Sequence, residues 1–168
     1  MRKIGLILTF PEGKKAGYYA QVVKAIAENV QLFDRDKELI VLSGAGDRDR
    51  ATAVLDKYRI PAEEIGLMLL PEGTELPPAA EEYGFETRAG RTFLYEDRTA
   101  GFVLGASAAA EGGASEADRR AAWMQLAEHV VLSFTADDGR IVHVCEPHLK
   151  ETVEGIASRY RVGAEFLW

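Results

Sequence analysis

The densest group of chemically capable side chains is His143-Val144-Cys145-Glu146-Pro147-His148. The chain has one cysteine and three histidines, and two of those histidines flank the cysteine. On an extended strand, positions 143 and 145 share a face. Cys145 closes an apolar run just before Pro147 opens a helix, and a helix N-terminus favours a thiolate. The pattern fits a cysteine nucleophile with His148 or His129 as its base and Glu146 or Glu128 orienting that base. The competing expectation is a small buried hydrophobe in a strand. Zinc held by His143, Cys145 and His148 would need a fourth ligand, and there is no second cysteine to supply one, so no metal site is expected.

The second group is cationic and lies in loops that follow apolar runs. Lys14 and Lys15 follow the first run, with Tyr18 just beyond them as a stacking surface. Arg48 and Arg50 follow the second, beside Gly44 and Gly46, where the backbone can approach a ligand closely. Ligands of open parallel sheets bind outside the carboxyl ends of the strands, and helix N-termini there attract anions. A site of Lys14, Lys15, Tyr18, Gly44, Gly46, Asp47, Arg48 and Arg50 for a small phosphate- or carboxylate-bearing molecule, nucleotides included, is the expectation. The plainer reading is solvated surface charge partly neutralised by Asp47 and Asp49. Neither loop carries the dinucleotide or P-loop glycine pattern. Glu12, Asp47 and Asp49 raise a magnesium question, answered more simply by a helix cap at Asp47 and surface charge. No cofactor class is singled out.

The elements that would position these groups follow from periodicity. Ile4–Leu8, Leu39–Leu42 and 65–70 are continuous apolar runs, the signature of strands buried on both faces. Between them, Tyr19, Val22, Val23, Ile26, Val30 and Phe33 keep helical spacing, which predicts a helix over about 17–33 followed by a polar turn at Asp34–Lys37. Ala51, Val54, Leu55 and Tyr58 give a second helix. The alternation β-α-β-α-β predicts a parallel, Rossmann-like or flavodoxin-like half. Residues 39–70 resemble part of the YdcF-like α/β proteins, over under a quarter of the chain, and the second half does not follow that pattern.

Beyond Pro71 the character changes to α+β. Segments 85–88 and 92–96 flank Ala89-Gly90 as a hairpin insertion, and 101–104 adds a strand. Residues 106–114 are small and Gly-rich, a loop. Ser115 and Asp118 form a capping-box start for a helix. Trp123, Leu126, Val130 and Phe134 keep helical spacing, while Val130–Thr135 also reads as a strand pairing with Arg140–Val144; helix is preferred. A strand at Ile141–Cys145, a helix from Pro147 and a strand at Gly163–Trp168 complete the chain, with the terminal aromatic residues packed. The expected whole is one domain, or two packed lobes at 1–72 and 73–168, in a three-layer α/β/α arrangement. Pro11-Glu12-Gly13 and Pro71-Glu72-Gly73 are the only repeat seen, and ordinary turn chemistry explains both.

Charge and composition exclude several classes. The net charge is −7, so attraction to nucleic acid or anionic lipid is not expected. No run is long enough to span a bilayer, and one cysteine forms no internal disulfide, which together predict a cytoplasmic protein. Besides anion binding, two functions remain: a non-catalytic interaction or regulatory module acting as a homodimer, and a hydrolase or transferase using Cys145 with His148.

Overall fold

The computed structural model describes residues 1–11, 13, 16–106 and 114–168. Among them are ten strands and four α-helices, and the chain divides into two compact units.

The first unit is Met1–Leu69 with Glu86–Phe93. Its elements are β1 (Arg2–Leu8), α1 (Ala16–Asn29), β2 (Leu32–Asp36), β3 (Leu39–Leu42), α2 (Ala45–Tyr58) and β4 (Ala62–Leu69). β1 pairs antiparallel with β3 on one side and with β4 on the other, and β2 pairs antiparallel with β3. The order β2-β3-β1-β4 with β-α-β-β-α-β connectivity is the ferredoxin-like, split-βαβ arrangement. Alternate residues of β1 and β3 (Leu6, Leu8, Ile40, Leu42) bury one core together with Val22 and Ile26 of α1 and Ala51 and Leu55 of α2. Both helices therefore cover the same face of the sheet.

The expected parallel, Rossmann-like sheet and its three layers are thus overturned, and the cause is a single element. Residues 32–36 form β2 instead of ending a helix and making a turn. Val30 and Phe33 continue the helical spacing of α1, and Asp34, Arg35 and Asp36 give the segment a polar look. The turn is the tighter Lys37-Glu38, with Lys37 at φ 48. One additional strand reverses the direction of β3, and the sheet becomes antiparallel.

The second unit is Leu70–Phe85 with Leu94–Trp168. Between the two motifs lie β5 (Gly84–Glu86) and β6 (Thr92–Tyr95), the expected hairpin, turned at Gly90 with φ 74 and extending the first sheet to β2-β3-β1-β4-β6-β5. Then come β7 (Ala100–Ala106), α3 (Glu116–Leu126), β8 (Leu132–Thr135), β9 (Ile141–Cys145), α4 (Lys150–Arg159) and β10 (Val162–Phe166). All pairings are antiparallel and the order is β10-β7-β9-β8. This is the same connectivity and the same strand order as in the first unit. The capping box forms as expected, with Ser115 and Asp118 bonded reciprocally. The preferred helix through Phe134 does not: α3 stops at Leu126, and a 3₁₀ turn leads into β8. The expected loop at 107–113 lies outside the described residues.

The shared topology lets the closing segments of the two units be laid on one another, with few residues in common. Leu39–Gly66 aligns with Ile141–Trp168 without a gap. Tyr58-Arg59 matches Tyr160-Arg161, and Ala62-Glu63 matches Ala164-Glu165. Buried Ala51, Leu55 and Ile60 fall on buried Val153, Ala157 and Val162. Arg59 (φ 53) and Arg161 (φ 58) both turn the chain out of a helix in the left-handed conformation. The Pro-Glu-Gly tripeptides do not mark this correspondence, since Pro11 follows β1 and Pro71 follows β4.

On the face turned away from the helices, each central strand carries a glycine. A Cβ on Gly5 would meet Ile65, Leu67 and Leu39 side chains, and one on Gly101 would stand 2.0 Å from the Trp168 ring. Trp168 is packed as expected, its indole N–H donating to Thr99 Oγ1 at 3.3 Å. Replacing Gly101 with Ala should expel the Trp168 ring and destabilise the protein by roughly 1–3 kcal/mol. Urea unfolding followed by tryptophan emission in a Trp123→Phe background checks this; unchanged emission and midpoint would refute the close approach.

Candidate functional site

The anion site was expected where two strand ends meet. Leu8 N–H donates to Glu38 O and Thr9 N–H to Pro61 O, which places the loop after β1 at the β2–β3 turn end of the sheet. Leu42 lies opposite Ile4, so α2 begins at the other end. The antiparallel ladder separates the two loops. Lys14, Lys15 and Glu12 themselves lie outside the described residues.

At the start of α2 the N-cap is Gly44, with no side-chain cap bond, and Asp47 stands in the first turn rather than at the expected cap position. Gly46 is within that first turn. Arg48 Nε donates to Asp49 at 2.8 Å, and its Nη1 lies 3.5 Å from Glu64. The Asp49 hydrogen bond, followed by the Asp49 and Glu64 charges, holds the Arg48 pKa above its ordinary value. Arg50 donates to Asp47. Two arginines thus meet three carboxylates. Tyr18 packs against the first core, donating to Tyr58 O at 2.9 Å, with its ring edge-on to Tyr19 and Tyr58.

The cysteine region is laid out differently from a nucleophilic site. Cys145 is fully buried in the second core, among Phe102, Leu126 and Val153. Burial pushes its thiol up to about 11, opposed by Lys150 and assisted by Glu146. Residues Pro147–Leu149 form a 3₁₀ turn and α4 opens only at Lys150, so the thiol does not sit at the N-terminus of that helix. His148 is exposed, its Nε2 3.6 Å from Glu146 Oε2. The other oxygen of Glu146 accepts from the Tyr83 hydroxyl at 2.7 Å, and that bond, more than burial, pushes the Tyr83 phenol up to about 12. Tyr83 is 63 residues away in sequence, with no periodicity or motif to flag it. Among the described residues, no group of three or more His, Cys, Asp or Glu is placed to hold a metal ion.

Two further polar sites escape a reading of the sequence. Under α3, His143 Nδ1 lies 2.8 Å from Ser133 Oγ, and its ring stacks on Trp123 at 4.4 Å and meets Phe102 at 5.5 Å. Burial holds this imidazole below its ordinary pKa. In the first unit, buried Asp34 accepts from Thr87 at 2.8 Å and pairs with Arg91 at 3.2 Å. Beside it, the Lys3 ammonium stands 3.8 Å from the centre of the Phe33 ring, with Lys3 itself only 5% exposed. Surface hollows lie along α3 at Ala117, Ala121 and Met124, between α1 and α2 at Ala25, Ala53 and Val54, and at Leu104, Arg119 and Val162; none of these is lined by Cys145, His148 or Arg48.

No family model matches the chain, and a search of curated proteins finds no relative.

Two outcomes follow from these environments. Native protein should resist iodoacetamide at neutral pH and react once unfolded, as read by intact mass; rapid stoichiometric labelling of the native protein would restore the nucleophile. His143 should make stability pH-dependent. Its folded value is depressed, so its contribution is whole above the unfolded value of about 6.5. That contribution is lost as pH falls through the lower folded value, because the unfolded chain then binds a proton that the buried ring refuses. Thermal unfolding of His143→Phe against wild type between pH 7.5 and about 5 checks this. An equal pH slope in both proteins would refute it.

Proposed function

We infer that the protein is a non-catalytic interaction module that works as a homo-oligomer. The observation that supports this best is the condition of its most reactive group: the Cys145 thiol is enclosed in apolar core and held in its protonated form at neutral pH. A nucleophile needs the thiolate and access to a substrate. The net charge of −7 turns the reading away from nucleic acid and anionic membrane surfaces. Among the described residues, no helix is long and apolar enough to cross a membrane. The reading places the protein in the cytoplasm, where a lone cysteine stays a thiol.

Binding of a small phosphate- or carboxylate-bearing molecule at Gly44, Gly46, Asp47, Arg48 and Arg50 is the second reading. One observation favours it: α2 starts without a side-chain cap, and open N–H groups at a helix start attract anions. The three carboxylates beside the two arginines weigh against it.

A native mass spectrum of the protein as purified separates the two. The module should appear as a bare oligomer, with the same oligomer in Arg48→Ala. An anionic adduct that disappears in Arg48→Ala would transfer the function to the start of α2. A monomer at every concentration would remove the first reading.

A further inference from the structure

In the second sheet, β8 and β9 pair with Ser133 directly opposite His143, so the two side chains rise on the same face. Ser133 belongs to the last strand of that sheet and is exposed, while His143 lies one strand further in and is only 9% exposed. Ser133 Oγ and His143 Nδ1 are 2.8 Å apart. An exposed hydroxyl is thus joined to a base whose ring is otherwise held by aromatic side chains. Trp123 of α3 stacks on that ring at 4.4 Å, and Phe102 of β7 meets it at 5.5 Å.

A serine hydroxyl is a weak nucleophile until a neighbouring base takes its proton. Two conditions decide whether a histidine can do so. The base must lie within about 2.6–3.2 Å of the hydroxyl oxygen, and the 2.8 Å separation meets that condition. It must also be unprotonated at neutral pH. Burial holds the His143 imidazole below its ordinary pKa. The side chains that contact the ring from α3, β7 and β8 are Trp123, Phe102 and Ser133, none of them charged. With its one proton on Nε2, the neutral ring accepts the Ser133 hydroxyl hydrogen at Nδ1. The aromatic contacts restrict ring rotation and keep Nδ1 aimed at Oγ. Ser133 therefore combines an adjacent base with the access to solvent that buried Cys145 lacks.

We propose that Ser133 is an acyl-acceptor site, a hydroxyl activated by His143 to take an acyl group from an activated ester. Oγ attacks the ester carbonyl carbon, and its proton passes to His143 Nδ1. The ester C–O bond breaks as the Oγ–C bond forms, and the leaving oxygen departs with the bonding pair. Nδ1 returns its proton to that oxygen or to water, and nothing is oxidised or reduced. Trp123, 37% exposed and stacked on the base, offers an apolar surface to an aromatic leaving group. The product is a chain carrying an acyl ester at Ser133. This covalent modification needs no turnover, so it adds to the interaction module and does not rest on its self-association.

Acetylation of the full chain by p-nitrophenyl acetate tests this, read as adduct formation by intact mass and assigned to residues by peptide mapping. Ser158, exposed on α4, has no histidine partner among the described residues and gives the rate of an ordinary serine. Ser133 should acquire the acetyl group about 100-fold faster than Ser158, the scale of general-base assistance. Ser133→Ala should remove that adduct, and His143→Phe should slow it by a similar factor. In wild type the rate at Ser133 should fall as pH is lowered, reaching half below the free imidazole value of about 6.5. Far-UV circular dichroism checks that the variants are folded, and the wild-type pH profile needs no variant. Acetylation of Ser133 no faster than of Ser158 overturns the site. An unchanged Ser133 rate in folded His143→Phe, or a rate flat with pH across the imidazole range, overturns the role of His143 as its base.

Discussion

The antiparallel ladder that seats β1 between β3 and β4 governs the first unit, and β7 between β9 and β10 governs the second. A central strand with two antiparallel neighbours leaves its side chains only two faces. In each unit one face takes both helices, with Leu6, Leu8, Ile40 and Leu42 in the first core and Ala100, Phe102 and Cys145 in the second. The opposite face then needs a small residue where bulky side chains cross, and Gly5 and Gly101 fill that place. The position of the cysteine follows from the same constraint. Cys145 alternates onto the helix-covered face of β9, and its chemistry is settled by that alternation before any neighbouring charge acts.

The polar groups follow a consistent electrostatic pattern. At the start of α2 the arginines are answered by carboxylates on the same helix and on β4. Buried Asp34 is satisfied by a hydroxyl and a guanidinium, and the nearly buried Lys3 rests on an aromatic face. A buried charge left alone would cost several kcal/mol, so such closed sets are the condition for burial. Their partners come from distant parts of the sequence, and that is why Tyr83 with Glu146 and Asp34 with Thr87 were not legible in it.

Much of the local structure was legible. The apolar runs at β1, β3, β4 and β9, the hairpin at Gly90 and the capping box at Ser115 follow from residue types alone. The two strands that were misread are β2 and β8, which occupy the same place in the two motifs. Each follows a helix after a short break, and in each an aromatic residue, Phe33 or Phe134, continues the helical spacing. A helix-period pattern extended over a short strand erases the strand, and an odd number of missing strands converts antiparallel into parallel. Tyr58-Arg59 and Tyr160-Arg161 stand at the end of the second helix of each motif, a likeness that becomes visible only once β2 and β8 are in place.

Where each motif opens and closes has a consequence of its own. Arg2 pairs with Met68 across the sheet, and Leu69 N–H donates to Met1 O. In the second unit, Phe102 pairs with Phe166, and Leu167 N–H donates to Gly101 O. Each motif therefore starts and finishes at the same spot. A segment built this way is a cassette: it can be copied in tandem or spliced into a host loop with both junctions at one place and its core undisturbed.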